Sequence, residues 1–432
     1  VVDLTFPFEG LPEGWIVAFS VAFAVIVGML VWTSFLFVRA QRSRRNPPPA
    51  SIEDTDEFLW VFVVPAMNEE LTIRDSVTRL LDVAVKRRRI VVVDDGSDDR
   101  TPQILREIHH PDLHVIRRDL PNARRGKAAA LNNAYRALDE VLADVNREGV
   151  IAVVVDADGR LDPDAPRYAA AHFQDPAVGG VQALVRIYNR GRLLTWMQDV
   201  EFSVYGCLYQ SGRNHWETAG MGGNGQFNRL TALDTVADAD GPWRDRLTED
   251  QDLGLRLIAE GWKGRQDLRA IVEQQGPPKL RALFRQRTRW SQGNLQAMGL
   301  IGAVWGAPIP LLARLEQVAY LLMPLWQAIV GGALVAAIAL AVTGVTSFWE
   351  GNELWVLAFF YLLGFGGTML GCVAAGLRHD GPGLFAGLAT AQVYAFYSWI
   401  LWPALVRSTV RQLTERRDWV KSDRVAVPAS QP

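Results

Sequence analysis

Three short valine-rich runs each end in carboxylates, and no other feature of the chain constrains its fold as tightly. Phe62-Val63-Val64 leads into Pro65-Ala66-Met67-Asn68-Glu69-Glu70, Val91-Val92-Val93 into Asp94-Asp95-Gly96-Ser97, and Val153-Val154-Val155 into Asp156-Ala157-Asp158-Gly159. Runs so short and so uniformly apolar read as strands covered on both faces, as in a parallel sheet. Such sheets bind ligands beyond the carboxyl ends of their strands. Acids gathered there point to a divalent cation and a phosphorylated ligand. Strands over 58–64, 90–93, 113–116 and 150–155 alternate with helical patterns over 70–82, 101–108 and 128–142. That alternation predicts an α/β, Rossmann-like sheet with right-handed crossovers. Past Val178 the order is less regular, with Asp267–Gln274 as a final strand.

The mean hydropathy of +0.05 averages two unlike regions. From about Asp54 to Gly276 the chain is charged and mixed, whereas both ends are apolar. Trp15–Val38 is long enough to span a bilayer and too long for a signal-peptide core. Arg39, Arg42, Arg44 and Arg45 follow it, while Asp3, Glu9 and Glu13 precede it. The positive-inside rule then puts residues 1–14 outside and the polar middle in the cytoplasm, joined through a basic, proline-containing linker over 39–53. Three further apolar segments lie within 313–406: Val318–Val342, Leu354–Leu377 and Leu384–Val406. The acidic loop Thr343–Glu353 suits the outer face and Arg378-His379 the inner one. Three crossings here would leave the tail 407–432 outside, yet Arg407, Arg411, Arg416, Arg417, Lys421 and Arg424 argue that it is inside. A re-entrant or interfacial segment would reconcile count and charge; so would bilayer entry near Leu300–Leu312. The net charge of −2 excludes a broadly basic nucleic-acid binder. Cys207 and Cys372 form no metal-ligand spacing and no disulfide framework.

Several constellations carry chemistry. Asp156 and Asp158, two apart at a strand end, project to one side and can address a hard cation. Asp94-Asp95-Gly96-Ser97 reads equally as a turn or as a site for a base and ribose. Lys127 opens a helix, where the dipole disfavours a cation unless it meets an anion such as diphosphate; a solvated lysine beside Arg124-Arg125 is the plainer account. Thr248-Glu249-Asp250 suits an N-cap and first turn, with Leu253, Leu257 and Ile258 as the helix's apolar face; its functional reading is an aspartate acting as general base. Gln286, Arg289 and Trp290 share a helical face and offer an amide, a fixed charge and an indole platform. Leu280, Leu283 and Phe284 share a face while Arg281, Arg285 and Arg287 lie largely elsewhere. The segment 277–312 therefore reads as amphipathic helices at a membrane surface.

Taken in order, these motifs resemble the membrane-embedded family 2 glycosyltransferases, the group of cellulose, hyaluronan, chitin-oligosaccharide and poly-N-acetylglucosamine synthases. The resemblance covers about Phe58 to Asn294 and rests on seven elements: Val-Pro-Ala-Met-Asn-Glu-Glu, Asp-Asp-Gly-Ser, Gly-Lys with Ala-Leu-Asn, Asp-x-Asp, Gly-Gly-Asn-Gly, Thr-Glu-Asp and Gln-x-x-Arg-Trp. It implies a GT-A domain over 54–276 and inverting, metal-dependent hexosyl transfer from a nucleotide sugar, most often a UDP-sugar. Pro65, Asn68, Glu69, Asp94, Asp95, Lys127, Gln286 and Arg289 would then bind the donor. Asp156 and Asp158 would hold its diphosphate through Mg²⁺ or Mn²⁺. Gly222, Gly223, Asn224, Glu249 and Trp290 would meet the acceptor, and Asp250 would be the base. The implied protein sits in a bacterial inner membrane with its catalytic domain in the cytosol. The expected product is a β-linked polysaccharide, whose extension could be coupled to its translocation; a glycolipid made on a membrane lipid is the alternative. With one N-terminal span and no regulatory domain expected after Val406, oligomerisation or an export partner could complete a channel.

Overall fold

The structure, a computed structural model, describes residues 11–45, 49–52, 55–142, 145–344 and 353–415. Strands β1 (Leu59–Ala66), β2 (Arg88–Asp94), β3 (Leu113–Arg117) and β4 (Val150–Val154) are parallel neighbours. Trp60, Phe62 and Val64 pack into one core layer, and Val61, Val63, Val91 and Val93 into the other. Burial on both faces is what the uninterrupted valine runs require. After them come β5 (Arg160–Leu161), β6 (Val178–Ile187), β7 (Gln226–Arg229) and β8 (Lys263–Gln274), completing one sheet in the order β3-β2-β1-β4-β7-β6-β8-β5. β7 runs antiparallel to both β4 and β6, whereas β6 and β8 are parallel. The parallel pattern thus holds for the first half and breaks at β7. That strand has four residues, among them the buried polar Gln226 and Asn228, so hydrophobic periodicity could not reveal it.

Crossover helices α1 aside, α2 (Ile73–Leu81), α3 (Thr101–Glu107) and α4 (Lys127–Val141) follow β1, β2 and β3, with α1 being the N-terminal Glu13–Arg45. α2 starts later than its sequence suggests because Glu69 and Thr72 are engaged elsewhere. The Glu69 amide donates to Thr101 Oγ1 at 2.8 Å, and Thr72 Oγ1 donates to the Glu69 carboxylate at 3.0 Å. α5 (Leu193–Val204) runs into a π-helical turn at Tyr205–Gln210, and α6 (Glu249–Ala259) carries the Thr-Glu-Asp motif. Short helices also lie at Ala165–Phe173, Ser211–Arg213, Leu230–Val236 and Ile301–Gly306, and the longer later ones are α7 (Leu280–Ala297), α8 (Leu311–Leu321), α9 (Met323–Val342), α10 (Glu353–Gly376), α11 (Leu384–Ile400) and α12 (Trp402–Leu413).

Among the described residues, three helical stretches are long and apolar enough to cross a membrane: α1, α9 and the joined α11–α12. The apolar stretch Tyr361–Gly376 of α10 is shorter. Leu36 of α1 packs with Cys207, Leu208, Trp216 and Ala374, and Arg44 donates to the carbonyls of Cys207 and Ala374. The C-terminal ends of α1 and α10 are thereby locked to the α5–π-turn segment. Both cysteines are buried free thiols. The residues Asp3, Glu9, Asn46-Pro47-Pro48, most of the loop 343–353 and the basic positions Arg416, Arg417, Lys421 and Arg424 lie outside the described residues.

Candidate active site

One continuous cavity of about 1070 Å³ opens above the carboxyl ends of β1, β2 and β4 and extends between the apolar helices. Its polar wall comes from loops that the sheet topology brings together. Lys127 is not a solvated member of the Arg124-Arg125 run. Its ammonium lies 2.5 Å from Asp156 Oδ1, 2.5 Å from the Gly223 carbonyl and 3.7 Å from Glu249. The two carboxylates answer why a lysine opens α4 despite the unfavourable dipole. Asn224 accepts from the Asp156 amide at 3.1 Å and donates to Gln274 at 3.0 Å, tying the glycine loop to β4 and β8. Asp158 accepts from the Gln275 amide at 3.0 Å. Gln182 holds the loop from beneath, accepting from the Gly222 amide at 2.7 Å and donating to the Asn224 carbonyl at 2.8 Å. Gly225 needs its missing side chain: its φ is +68°, and a Cβ would come 2.5 Å from Val272.

Asp250 lies over this loop, so that a Cβ on Gly223 would be 3.2 Å from both Asp250 Oδ2 and Lys127 Nζ. Burial raises the pKa of Asp250, with the Lys127 charge opposing the rise. Burial also pushes Glu249 up to about 7, again against Lys127. Burial in this desolvated wall thus raises both carboxylates, and the shared ammonium limits the rise. Thr248 occupies the N-cap position but does not cap α6 through its side chain; its hydroxyl donates to Gln251 at 3.3 Å. The threonine instead packs on Gly293 of α7, where a Cβ would sit 2.5 Å from Thr248 Oγ1 and Cγ2. This close approach brings the Gln-x-x-Arg-Trp helix against the start of the Thr-Glu-Asp segment.

Gln286, Arg289 and Trp290 line the cavity as one helical face. Arg287, expected away from the apolar face of Leu280, Leu283 and Phe284, lines it too and is buried. Its guanidinium donates to both Glu201 oxygens at 3.1 and 2.7 Å, donates to Gln286 at 2.6 Å, and lies 4.1 Å from the Trp290 ring. Tyr397 of α11 donates to the same Glu201 at 2.8 Å, and Phe202 packs edge-on against Trp290. Nothing in the spacing of arginines distinguished Arg287 from Arg281 and Arg285; Glu201 lies 86 residues away in sequence.

Of the other expected donor residues, Pro65, Glu69, Asp95, Asp156 and Asp158 line the cavity, as do Gly222, Gly223 and Asn224, which were expected to meet the acceptor. Asp95 is buried, accepting from Arg118 at 2.7 Å and from the Arg124 amide at 3.0 Å; burial raises its pKa. Asn68 and Asp94 stand behind the wall rather than in it. Asn68, at φ +55°, exchanges hydrogen bonds with Asp98 at 2.7 and 2.9 Å. Asp94 accepts from the Ser97 amide at 3.0 Å and from Arg117. Both shape the loops after β1 and β2, which is the turn reading of that motif.

Residues 60–293 match the family described as "Glycosyltransferase like family 2". The chain belongs to this family. It is 33% identical over 300 residues to the beta-monoglucosyldiacylglycerol synthase of Synechocystis sp., covering 65% of this chain and 59% of that protein. It is 30% identical over 270 residues to the poly-beta-1,6-N-acetyl-D-glucosamine synthase of Staphylococcus aureus, covering 61% of each. The chain therefore spans about three-fifths of the length of these curated relatives. Among solved structures, a Pyrobaculum calidifontis mannosyltransferase aligns over 92% of this chain and 99% of its own, with a TM-score of 0.61 at 20% identity. The mixed sheet is the GT-A fold, flanked here by apolar helices.

Proposed function

We propose that the protein transfers a hexosyl group from a UDP-sugar to a hydroxyl of an acceptor that enters from the membrane, with inversion at the anomeric carbon. The observation that carries this reading is the single cavity shared by Asp156, Asp158, Lys127, Asp250 and Trp290 and continuing between the apolar helices. The loops after β1 and β2 would hold the nucleotide, and Lys127 and Arg289 would offset charge on the diphosphate. Asp250, with a basicity increased by burial, would take the acceptor proton as its oxygen attacks. One base suffices for a single displacement; a double displacement would need a nucleophile as well.

The acids fit a hard cation. Asp156 and Asp158 supply oxygen donors, and no group of three or more metal-binding side chains is preassembled among the described residues, so donor phosphates and water would complete the shell. Mg²⁺ or Mn²⁺ bound there would neutralise the leaving diphosphate.

The depth of the cavity favours a lipid acceptor. Its lining runs from Ile26 to Thr33 on α1, from Met323 to Gly331 on α9 and from Leu363 to Thr368 on α10. At 1.5 Å per residue these stretches reach roughly 8–12 Å, against a hydrocarbon core of about 30 Å. That is a chamber facing one leaflet. The Synechocystis relative, named as a glycolipid synthase, supports the same choice. Extension of a β-linked polysaccharide is the second reading. It is favoured by the Trp290 platform and by the S. aureus relative, and an oligomer or export partner would then carry the product out.

The helix contacts also favour a cytosolic tail in a plasma-membrane protein. α11 starts beside the inner end of α10, and its Tyr397 meets Glu201, while Ser408 of α12 bonds Ser291 of α7 at 2.7 Å. Both ends of the α11–α12 segment thus touch the catalytic side, so α1, α9 and α10 would cross and α11–α12 would not. This arrangement reconciles the segment count with the basic tail.

Proteoliposomes supplied with radiolabelled UDP-glucose or UDP-N-acetylglucosamine, Mn²⁺ and dioleoylglycerol test the function. A chloroform-soluble labelled product supports the lipid reading, and a water-soluble polymer the second. Absence of transfer from every UDP-sugar with either metal would sink the proposal.

A further inference from the structure

Where the nucleotide half of the cavity meets the membrane chamber, two tyrosines from distant segments share its wall. Tyr205 opens the π-helical turn after α5, and Tyr320 lies in the last turn of α8. Their hydroxyls are 3.1 Å apart and both side chains line the cavity. Asp250 lines the same cavity as both tyrosines. One phenol proton can bridge the two oxygens, which leaves the second to be donated into the cavity together with oxygen lone pairs.

The pair is held by a costly device. Arg213 and Glu316 are only 1% and 2% exposed at their side chains. Arg213 Nε lies 3.0 Å from both Glu316 oxygens, Nη1 donates to Gln210 at 3.2 Å, and the guanidinium sits 4.0 Å from the Tyr320 ring. Its buried Nη2 has no hydrogen-bond partner among the described residues. A buried ion pair with an unmet donor is a poor source of stability. What it does is fix position. Gln210 exchanges hydrogen bonds with Gly220 at 2.7 and 3.1 Å, and Gln317 donates to the Thr218 carbonyl at 2.8 Å. α8, the π-turn and the loop leading to Gly223 are thereby one rigid unit. π-Turns of this kind occur mainly at functional sites.

We infer that Tyr205 and Tyr320 form the cradle for the acceptor hydroxyl, with Tyr320 presenting it to Asp250, and that Arg213 and Glu316 are positioning residues for that cradle. The inference rests on the proposed transfer to a membrane-held acceptor and assigns the recognised group: an alcohol at the headgroup end of an amphipathic acceptor.

The test uses the full chain in mixed micelles, with dioleoylglycerol as acceptor, calorimetric titration of UDP with Mn²⁺, and the variants Tyr320→Phe, Tyr205→Phe and Glu316→Gln. Loss of one neutral hydrogen bond should raise the acceptor KM of Tyr320→Phe by about three- to tenfold, with kcat within about twofold and the UDP Kd unmoved. Tyr205→Phe should raise KM in the same direction. Glu316→Gln should raise acceptor KM more than it alters UDP binding. An active wild type whose Tyr320→Phe variant keeps its acceptor KM overturns the inference alone, as does a parallel loss of UDP affinity. A wild type that transfers sugar to no lipid overturns the reading beneath it.

Discussion

Replacing Arg287 by Met should unlatch Trp290 from the membrane-side helices at a cost that the contacts allow to be worked out. Arg287 is buried and its partner Glu201 is 23% exposed at the side chain. Unit charges about 4 Å apart attract by about 4 kcal/mol at an effective dielectric near 20. Partial exposure of Glu201 brings the pair's coupling down to about 2 kcal/mol. The variant also forfeits the contact with the Trp290 ring, ~1 kcal/mol, so Arg287→Met should cost about 3 kcal/mol. At roughly 2–4 °C per kcal/mol for a domain of this class, the apparent melting temperature should fall by about 6–12 °C. Glu201→Gln removes one charge and, with a single amide oxygen, can keep the bonds from Arg287 Nη2 and Tyr397 but not the one from Arg287 Nε, so it should also destabilise. Tryptophan-fluorescence melting of both single variants and the double variant in one detergent gives the cycle. The double variant should fall short of the summed losses by about 2 kcal/mol. Additive losses would refute the claim that Arg287 acts through Glu201.

Asp250→Asn should lower kcat by about 10²–10⁴, with UDP binding by calorimetry nearly intact; unchanged turnover would exclude Asp250 as the base. Asp158→Ala should weaken Mn²⁺-dependent UDP binding at least tenfold, on the order of the loss of one metal ligand, while metal-free binding changes little. The pH profile of kcat should have its acidic limb raised above that of an ordinary aspartate, because burial raises Asp250 and only its ionised form accepts a proton. Lys127 opposes that rise, so Lys127→Met should move the limb to still higher pH; a shift to lower pH would contradict the assignment. Gly225→Ala must adopt φ +68° and place its Cβ 2.5 Å from Val272, and should lose ~2 kcal/mol or more in thermal unfolding.

The parallel half of the sheet was legible because its signal is local. Val91–Val93 and Val153–Val155 are apolar without a break, and only burial on both faces explains that in a short segment. β7 gave no such signal. Its buried Gln226 and Asn228 read as surface residues until Gln226 is seen donating to the Gly222 carbonyl and accepting from Asn228. The carboxylate motifs were legible for the same local reason, yet their division of labour was not. Asp94 and Asp95 are adjacent, and only the loop geometry turns Asp95 to the cavity and Asp94 to Arg117.

By itself the sequence determined the segregation of apolar ends from a charged middle, the strand-then-acid rhythm and the clustering of Gln286, Arg289 and Trp290 on one face. These follow from covalent spacing and the two backbone periods, which act over a few residues. Tertiary structure alone decided that Lys127 would be shared by Asp156, Gly223 and Glu249, that Arg287 would turn inward to Glu201, and that Tyr205 would meet Tyr320. Each of these contacts joins groups far apart along the chain, and each owes its strength to removal from water, which no local pattern encodes.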